Sequence, residues 1–283
     1  MKFSIITPSF KQPDWLKLCL ASVADQQGVD VEHIVQDNCS GPEIEQLVRN
    51  YPSARLFAER DDGMYDAVNR GLQRASGDIC SYLNCDEQYF PGALRKVHDY
   101  FETHPDTEVL FADAVVTDSD GGYVCSRQVV LPFYYHTMVC HLNTLTCSTF
   151  FRRSVTRDRK LLFDPRWKDL GDSVWVLSLL KHRVKAGVMR FYTTAFADTG
   201  ENMNMKPNAR REIDELKKRA PAWIAGMARL LVLHHRFRRL VHGIYWPRPF
   251  SYAVYTRSNS AARTTIEVSK PRFLWSNRLS WTR

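Results

Sequence analysis

The sequence predicts an α/β fold, a doubly wound and mainly parallel sheet flanked by helices, followed by a helical, basic C-terminal extension. Two observations carry this. Over the first hundred residues, short apolar runs alternate with segments of helical spacing, the pattern of successive strand–helix units. Each apolar run also ends in turn-forming polar residues, and open sheets of this kind bind ligands beyond the carboxyl ends of their strands. We divide the chain into residues 1–205, with halves at 1–100 and 101–205, and an extension at 206–283.

Phe3 to Ile6 is a buried strand, stopped by Thr7-Pro8-Ser9. Pro13 to Gln26 is a helix, opened by Pro13 and Asp14. Val31 to Gln36 is the second strand and Ile44 to Tyr51 the second helix. Arg55 to Ala58, Met64 to Arg74 and Ile79 to Leu83 complete the alternation as strand, helix and strand. Pro91 to Thr103 is helical. Val109–Thr117 and Tyr123–Leu131 pair around the turn at Asp118–Gly122. His141 to Arg152 reads as loop and strand, Asp172 to Lys185 as helix, and Val188 to Phe196 as strand. Asp198 to Pro207 is a polar loop that includes Gly200. Glu212 to Gly243 is helix-rich with a break near Pro221, and the tail after Trp246 has no clear period.

The 283 residues are 44% hydrophobic and 25% charged, an ordinary globular balance with length enough for a sizeable core. Seven cysteines without a Cys-x-x-Cys pair argue against a zinc site or a disulfide framework, and for a reducing, cytoplasmic setting. Met1–Pro8 is too short an apolar run for a signal peptide, and no window approaches a membrane span. The net charge of +8 is concentrated in the Arg-rich C-terminal part. Nucleic acid is disfavoured as a partner because no recognition motif accompanies the charge. Met227 to His242 is basic and amphipathic. It either lies on an anionic membrane face, peripherally on the inner side, or packs across the back of the domain.

The first strand ends at Thr7-Pro8-Ser9-Phe10, the second at Asp37-Asn38 and the fourth at Asn84-Cys85-Asp86, so three polar endings converge on one crevice. Alternate strand residues share a face, which points Asn84 and Asp86 the same way. Asp86 suits Mg²⁺ or Mn²⁺, which bridges to a diphosphate; a polar strand end with an Asx turn is the plainer alternative. Asp37 accepts from a base or ribose, or caps its own turn. Asp62 holds the nucleotide or joins a surface ion pair.

These segments resemble family-two glycosyltransferases, inverting enzymes with a GT-A fold. The resemblance runs through Ser4–Phe10, Leu16–Gln27, Val35–Gly41, Asp62–Gly71, Ala75–Asp78 and Leu83–Glu87, across residues 1 to about 100. It implies that Thr7, Pro8, Ser9 and Phe10 line a nucleotide site, that Asp37 contacts the base and Asp62 the nucleotide. Asn84 and Asp86 then form the DxD-type motif, with Asp86 on Mg²⁺ or Mn²⁺. The implied catalytic base is Asp172, in Leu170-Gly171-Asp172-Ser173, with Asp169 as runner-up; Gly171 stands where the family usually has an acid. His141, ahead of Phe150-Phe151-Arg152-Arg153, and the Gly200 loop are implied to line the sugar or acceptor pocket. The implied partners are a nucleoside-diphosphate sugar and a saccharide or lipid-linked acceptor, in cell-surface polysaccharide synthesis. Two rival readings stand beside this one. A sugar nucleotidyltransferase favours a Gly-rich loop after the first strand, and Thr7–Pro13 has none. A non-catalytic protein of the same fold that binds sugar nucleotides is the other.

Overall fold

A computed structural model describes residues 1–139, 142–200 and 207–275. The chain opens with β1 (Lys2–Ser9), α1 (Pro13–Ala24), β2 (Asp30–Asp37), α2 (Pro42–Arg49), β3 (Ala54–Ala58), α3 (Met64–Arg74) and β4 (Ile79–Tyr82). These four strands lie side by side in the order β3-β2-β1-β4, all parallel, as the alternation predicts. Pro13 occupies the first turn of α1, where its missing N–H costs nothing. Phe3, Ile5 and Ile6 of β1 are fully buried between two helical layers. α3 crosses β1 so closely that a Cβ on Gly71 would stand 2.5 Å from Ile6 Cγ2.

Next come β5 (Glu87–Tyr89), α4 (Ala93–Thr103), β6 (Val109–Thr117), β7 (Tyr123–Arg127), α5 (Tyr134–Val139), β8 (Thr149–Arg152), α6 (Arg153–Arg157), α7 (Gly171–Lys181) and β9 (Ala186–Ala197). They extend the same sheet as β4-β8-β6-β9-β5, with β7 added on β6, nine strands in all. Here the pairing is mixed. β8 runs antiparallel to β4 and β6, β5 antiparallel to β9, and β9 parallel to β6. The strand expected to Leu131 ends at Arg127, and the helix expected to Lys185 ends at Lys181.

Beyond this, α8 (Pro207–Lys218), α9 (Ala222–Gly226) and α10 (Ala228–Val241) break at Pro221 as expected. The tail after Trp246 then forms a hairpin, β10 (Phe250–Val254) and β11 (Thr264–Val268), which the helical reading of the extension did not foresee. Tyr252, Val254 and Val268 bury against Phe90, which follows β5, and against Val115 and Ala195 of the large sheet. Arg263 also clasps Asp25 with contacts of 2.5 and 2.7 Å. The hairpin's alternation is short, and its apolar face is completed by residues far away in sequence, so no local period announces it.

Candidate active site

The carboxyl ends of the parallel strands do meet. Asn38 N–H donates to Ser9 O at 3.0 Å, Cys85 Sγ reaches Pro8 O at 3.2 Å, and Asp61 N–H points at Asn38 Oδ1 at 3.3 Å. Not every side chain in this ring faces outward. Thr7 is buried, and its hydroxyl bonds His33 Nε2 at 2.8 Å, so it offers a ligand only backbone. Asp37 is buried and accepts from the Ser40 N–H and hydroxyl at 2.6 and 2.7 Å, the turn-capping arrangement. Phe10 stands exposed at the rim, an open aromatic face. Asp62 is exposed too, while Asp61 beside it is half-buried. Burial pushes the Asp61 carboxyl up, with Asp66 and Asp37 adding to the effect. Asp61 is thus a member of the ring that the sequence reading passed over.

The structure corrects the geometry of Asn84 and Asp86. β4 ends at Tyr82, and residues 84–87 are a turn in which Glu87 N–H donates to Asn84 O at 3.1 Å. The shared-face argument therefore does not hold. Glu87 organises the turn instead: it is buried, and its Oε2 accepts the Asn84 N–H at 2.7 Å. Loss of hydration raises the carboxyls of both Asp86 and Glu87, and Asp86 raises Glu87 further. Among the described residues no other residue donates a hydrogen bond to the Asp86 carboxylate. A poorly hydrated, uncompensated carboxylate fits a hard cation. Among the described residues no cluster of three or more His, Cys, Asp or Glu could hold an ion alone. The donor set thus suits an ion held by Asp86 and completed by phosphate oxygens and water.

Helix α3 carries Tyr65-Asp66-Ala67-Val68-Asn69-Arg70-Gly71, and the structure gives these residues an unexpected task. Asn69 Nδ2–H donates to Phe163 O at 2.8 Å and its Oδ1 accepts Phe163 N–H at 3.0 Å, two bonds across 94 positions of sequence. Tyr65 stacks on Phe163, which stacks on Trp175 of α7, with ring centroids 5.5 and 4.6 Å apart. The Tyr65 hydroxyl accepts the Asp172 N–H at 3.1 Å. A helix of the first half thereby fixes the start of α7 in the second.

Asp172 is the second residue of α7, not its cap. It is half-buried, and its Oδ1 accepts Ser173 N–H at 2.6 Å. Lost hydration pushes its carboxyl up to about 6. Burial pushes the phenol of Tyr82, at the end of β4, well up, and Tyr65, Asp172 and Glu87 add to the effect. The turn before α7 is held from the other side. Glu212 of α8 accepts the N–H groups of Lys168, Asp169 and Leu170 at 2.8 to 3.0 Å. Asp169 is buried and bound to Asn208 Nδ2 at 2.8 Å, which occupies it in holding that turn. Neither Tyr65 nor Glu212 has a sequence signal of its own, because each acts across a long gap.

Gly171 has a steric reason to be glycine. A Cβ there would meet the Tyr65 ring at 2.5 Å, and that ring is buried and stacked. An acid at this position would have to displace Tyr65. We expect Gly171→Ala to lower stability by about 1–3 kcal/mol, the usual cost of overpacking. Thermal denaturation of the variant checks this, and an unchanged melting temperature would contradict it.

His141 lies outside the described residues. Gly200 is exposed with φ of +78°, two residues beyond Asp198, whose N–H donates to Thr117 O at 2.7 Å. Thr117 and Ala197 share a narrow cleft with Asp86, so this loop leaves the sheet beside the 84–87 turn. Residues 201–206 of the loop are outside the described set.

A parallel sheet with a carboxylate turn at its ligand edge, extended by mixed strands that carry a second carboxylate on a helix, is a GT-A fold. The chain belongs to glycosyl transferase family 2, whose model matches residues 4–158. It is similar to a PGL/p-HBAD biosynthesis glycosyltransferase of Mycobacterium tuberculosis, 29% identical over 124 residues, covering 42% of this chain and 48% of that one. It is also similar to a putative teichuronic acid biosynthesis glycosyltransferase, TuaG of Bacillus subtilis, 29% identical over 98 residues, 33% of this chain and 39% of the relative. The chain spans about half the length, or less, of these curated relatives. Among solved structures it resembles S. aureus TarS 1-349 in complex with UDP, with a TM-score of 0.59, 17% identity, and 85% and 72% of the two chains covered. It resembles the mannosyltransferase PcManGT of Pyrobaculum calidifontis, in complex with GDP-Man and Mn²⁺, with a TM-score of 0.54, 14% identity, and 87% and 81% covered.

Proposed function

We propose that this protein is an inverting glycosyltransferase that moves a sugar from a nucleoside-diphosphate sugar to a hydroxyl of a glycan or lipid-linked saccharide. The observation that carries the reading is Asp172: its main-chain N–H is fixed by the Tyr65 hydroxyl at the start of α7, and lost hydration raises its carboxyl to about 6. A base whose pKa lies near working pH is both ionised and willing to take a proton.

Phe10 offers a stacking face for the base, and the backbone of Thr7 to Ser9 with Asp61 and Asp62 offers polar contacts around the nucleoside, beside the turn that the Asp37 carboxylate holds. Asn84 offers a hydrogen bond to the sugar. Asp86 is the residue that would hold a Mg²⁺ or Mn²⁺ ion; such an ion, when bound, offsets the charge of the departing diphosphate. The nucleotides in the related structures, UDP and GDP-Man, support a donor of this class. The names of the curated relatives, glycosyltransferases of PGL/p-HBAD and teichuronic acid biosynthesis, support a role in polysaccharide biosynthesis.

In the transfer step the acceptor hydroxyl gives its proton to the Asp172 carboxylate as its oxygen attacks the anomeric carbon. The bond from that carbon to the diphosphate breaks, and its electron pair leaves with the nucleoside diphosphate. A single displacement inverts the anomeric centre and needs no covalent enzyme intermediate.

The pH profile of nucleoside-diphosphate release tests the assignment. Protonation of Asp172 removes the base, so kcat/KM should fall as pH drops below about 6 and level off above it. A profile flat down to pH values near 4, the usual carboxylate range, would rule out Asp172 as the group that titrates.

A further inference from the structure

Eight of the twelve exposed large apolar side chains among the described residues lie between Trp223 and Trp246. Leu230, Leu233, Phe237, Leu240 and Val241 of α10 fall within one stripe about 100° wide at helical spacing. A helix on a globular domain normally turns such a stripe inward. α10 turns it outward and meets the domain through polar groups. His234 contacts His136 of α5 at 2.9 Å, and Arg238 donates to Leu131 O at 2.7 Å while its guanidinium lies 3.7 Å over Phe133. His235 is the buried residue of the helix.

The charge around the stripe has one sign. From Ala220 to Phe250, the stretch that contains α10, the chain carries five Arg and no Asp or Glu. Arg229 adjoins the stripe and Arg248 follows Trp246, both exposed. Trp223 and Trp246, both exposed, stand before and after α10, where interfacial aromatics are favoured. No described helix is long and apolar enough to cross a membrane.

We propose that the α9–α10 face seats the protein on an anionic lipid membrane. The apolar stripe enters the boundary between headgroups and acyl chains, and the exposed Arg229 and Arg248 meet anionic headgroups. A protein partner would need to match both a wide apolar stripe and a field of one sign; an anionic bilayer presents that combination everywhere. The face is coupled to the candidate site, because α5 packs on both α10 and α7, through Met138 and Leu177 on the α7 side. Membrane seating would therefore hold the helix of Asp172 at a fixed orientation to the lipid surface. The proposal concerns the surface and does not depend on which sugar is transferred.

Vesicle flotation of the whole chain tests it, with phosphatidylcholine vesicles and with vesicles that also contain phosphatidylglycerol. The protein should float with the anionic vesicles and remain largely in solution with the neutral ones. Combined Leu230→Gln, Leu233→Gln and Phe237→Gln, all at exposed positions, should lower partitioning more than about tenfold. Combined Arg229→Ala and Arg248→Ala should lower it about fivefold or more. Protein that stays in solution with anionic vesicles, or a triple variant that floats as well as the parent, overturns the proposal. So does a triple variant that loses a dimer seen by light scattering but keeps its vesicle binding, since the stripe would then be a self-association surface.

Discussion

Asp172→Asn should lower sugar transfer by at least about a hundredfold while leaving donor binding in place, the scale of loss when a general base is removed. The change keeps the shape of the side chain, and the Asn Oδ1 can still accept the Ser173 N–H that Asp172 holds at 2.6 Å. The Asp172 main-chain N–H keeps its bond to Tyr65. What disappears is the capacity to take a proton. A variant that folds like the parent, binds nucleotide like the parent and transfers sugar like the parent would remove Asp172 from the mechanism. The acid limb expected near pH 6 should vanish with the same substitution, which ties the pH profile to this residue and not to another carboxyl.

Asp86→Ala should abolish the Mn²⁺-dependent part of nucleoside-diphosphate binding and lower transfer by more than about a hundredfold, since charge stabilisation of a leaving group is usually among the largest contributions. Folding should survive. Asp86 receives no hydrogen bond from another described residue, and its charge raises the buried Glu87 carboxyl, so its removal relieves a repulsion. Thermal shift with a nucleoside diphosphate, with and without Mn²⁺, reads the effect directly. A stabilisation by Mn²⁺ plus nucleotide that is as large in the variant as in the parent would mean that Asp86 is not the ligand. The two variants separate the two halves of the site, for the first should bind donor without turnover and the second should bind it poorly.

The first seven elements were legible because they alternate and several carry strong local signals: β1 and β2 are apolar runs with Thr7-Pro8 and Asp37-Asn38 at their ends, and α1 opens on Pro13. The parallel order β3-β2-β1-β4 follows from that alternation. What escaped was non-local. β5 is three residues long and reads as polar, since Glu87 and Gln88 are buried by the fold and not by their own character. β10 and β11 gain their buried face from Phe90, Val115 and Ala195. Within the site, the meeting of three strand ends was predictable from topology, but the posture of Asn84 and Asp86 was not, because the strand stops at Tyr82, one residue short of the expected Leu83, and Glu87 folds the chain into a turn. The Asp62–Gly71 segment carries part of the resemblance to the family, yet within it Tyr65 and Asn69 are occupied in joining α3 to the Phe163–Asp172 stretch. That task also accounts for Gly171, whose missing side chain leaves room for the Tyr65 ring.

The most direct test of the central claim is proton NMR of the protein incubated with Mn²⁺ and a panel of nucleotide sugars, with water as the acceptor. Inverting displacement predicts slow release of nucleoside diphosphate from at least one donor, with the first-formed free sugar in the anomeric configuration opposite to that of the donor. No cleavage of any donor in the panel, or a first-formed sugar that retains the donor's configuration, would contradict the account.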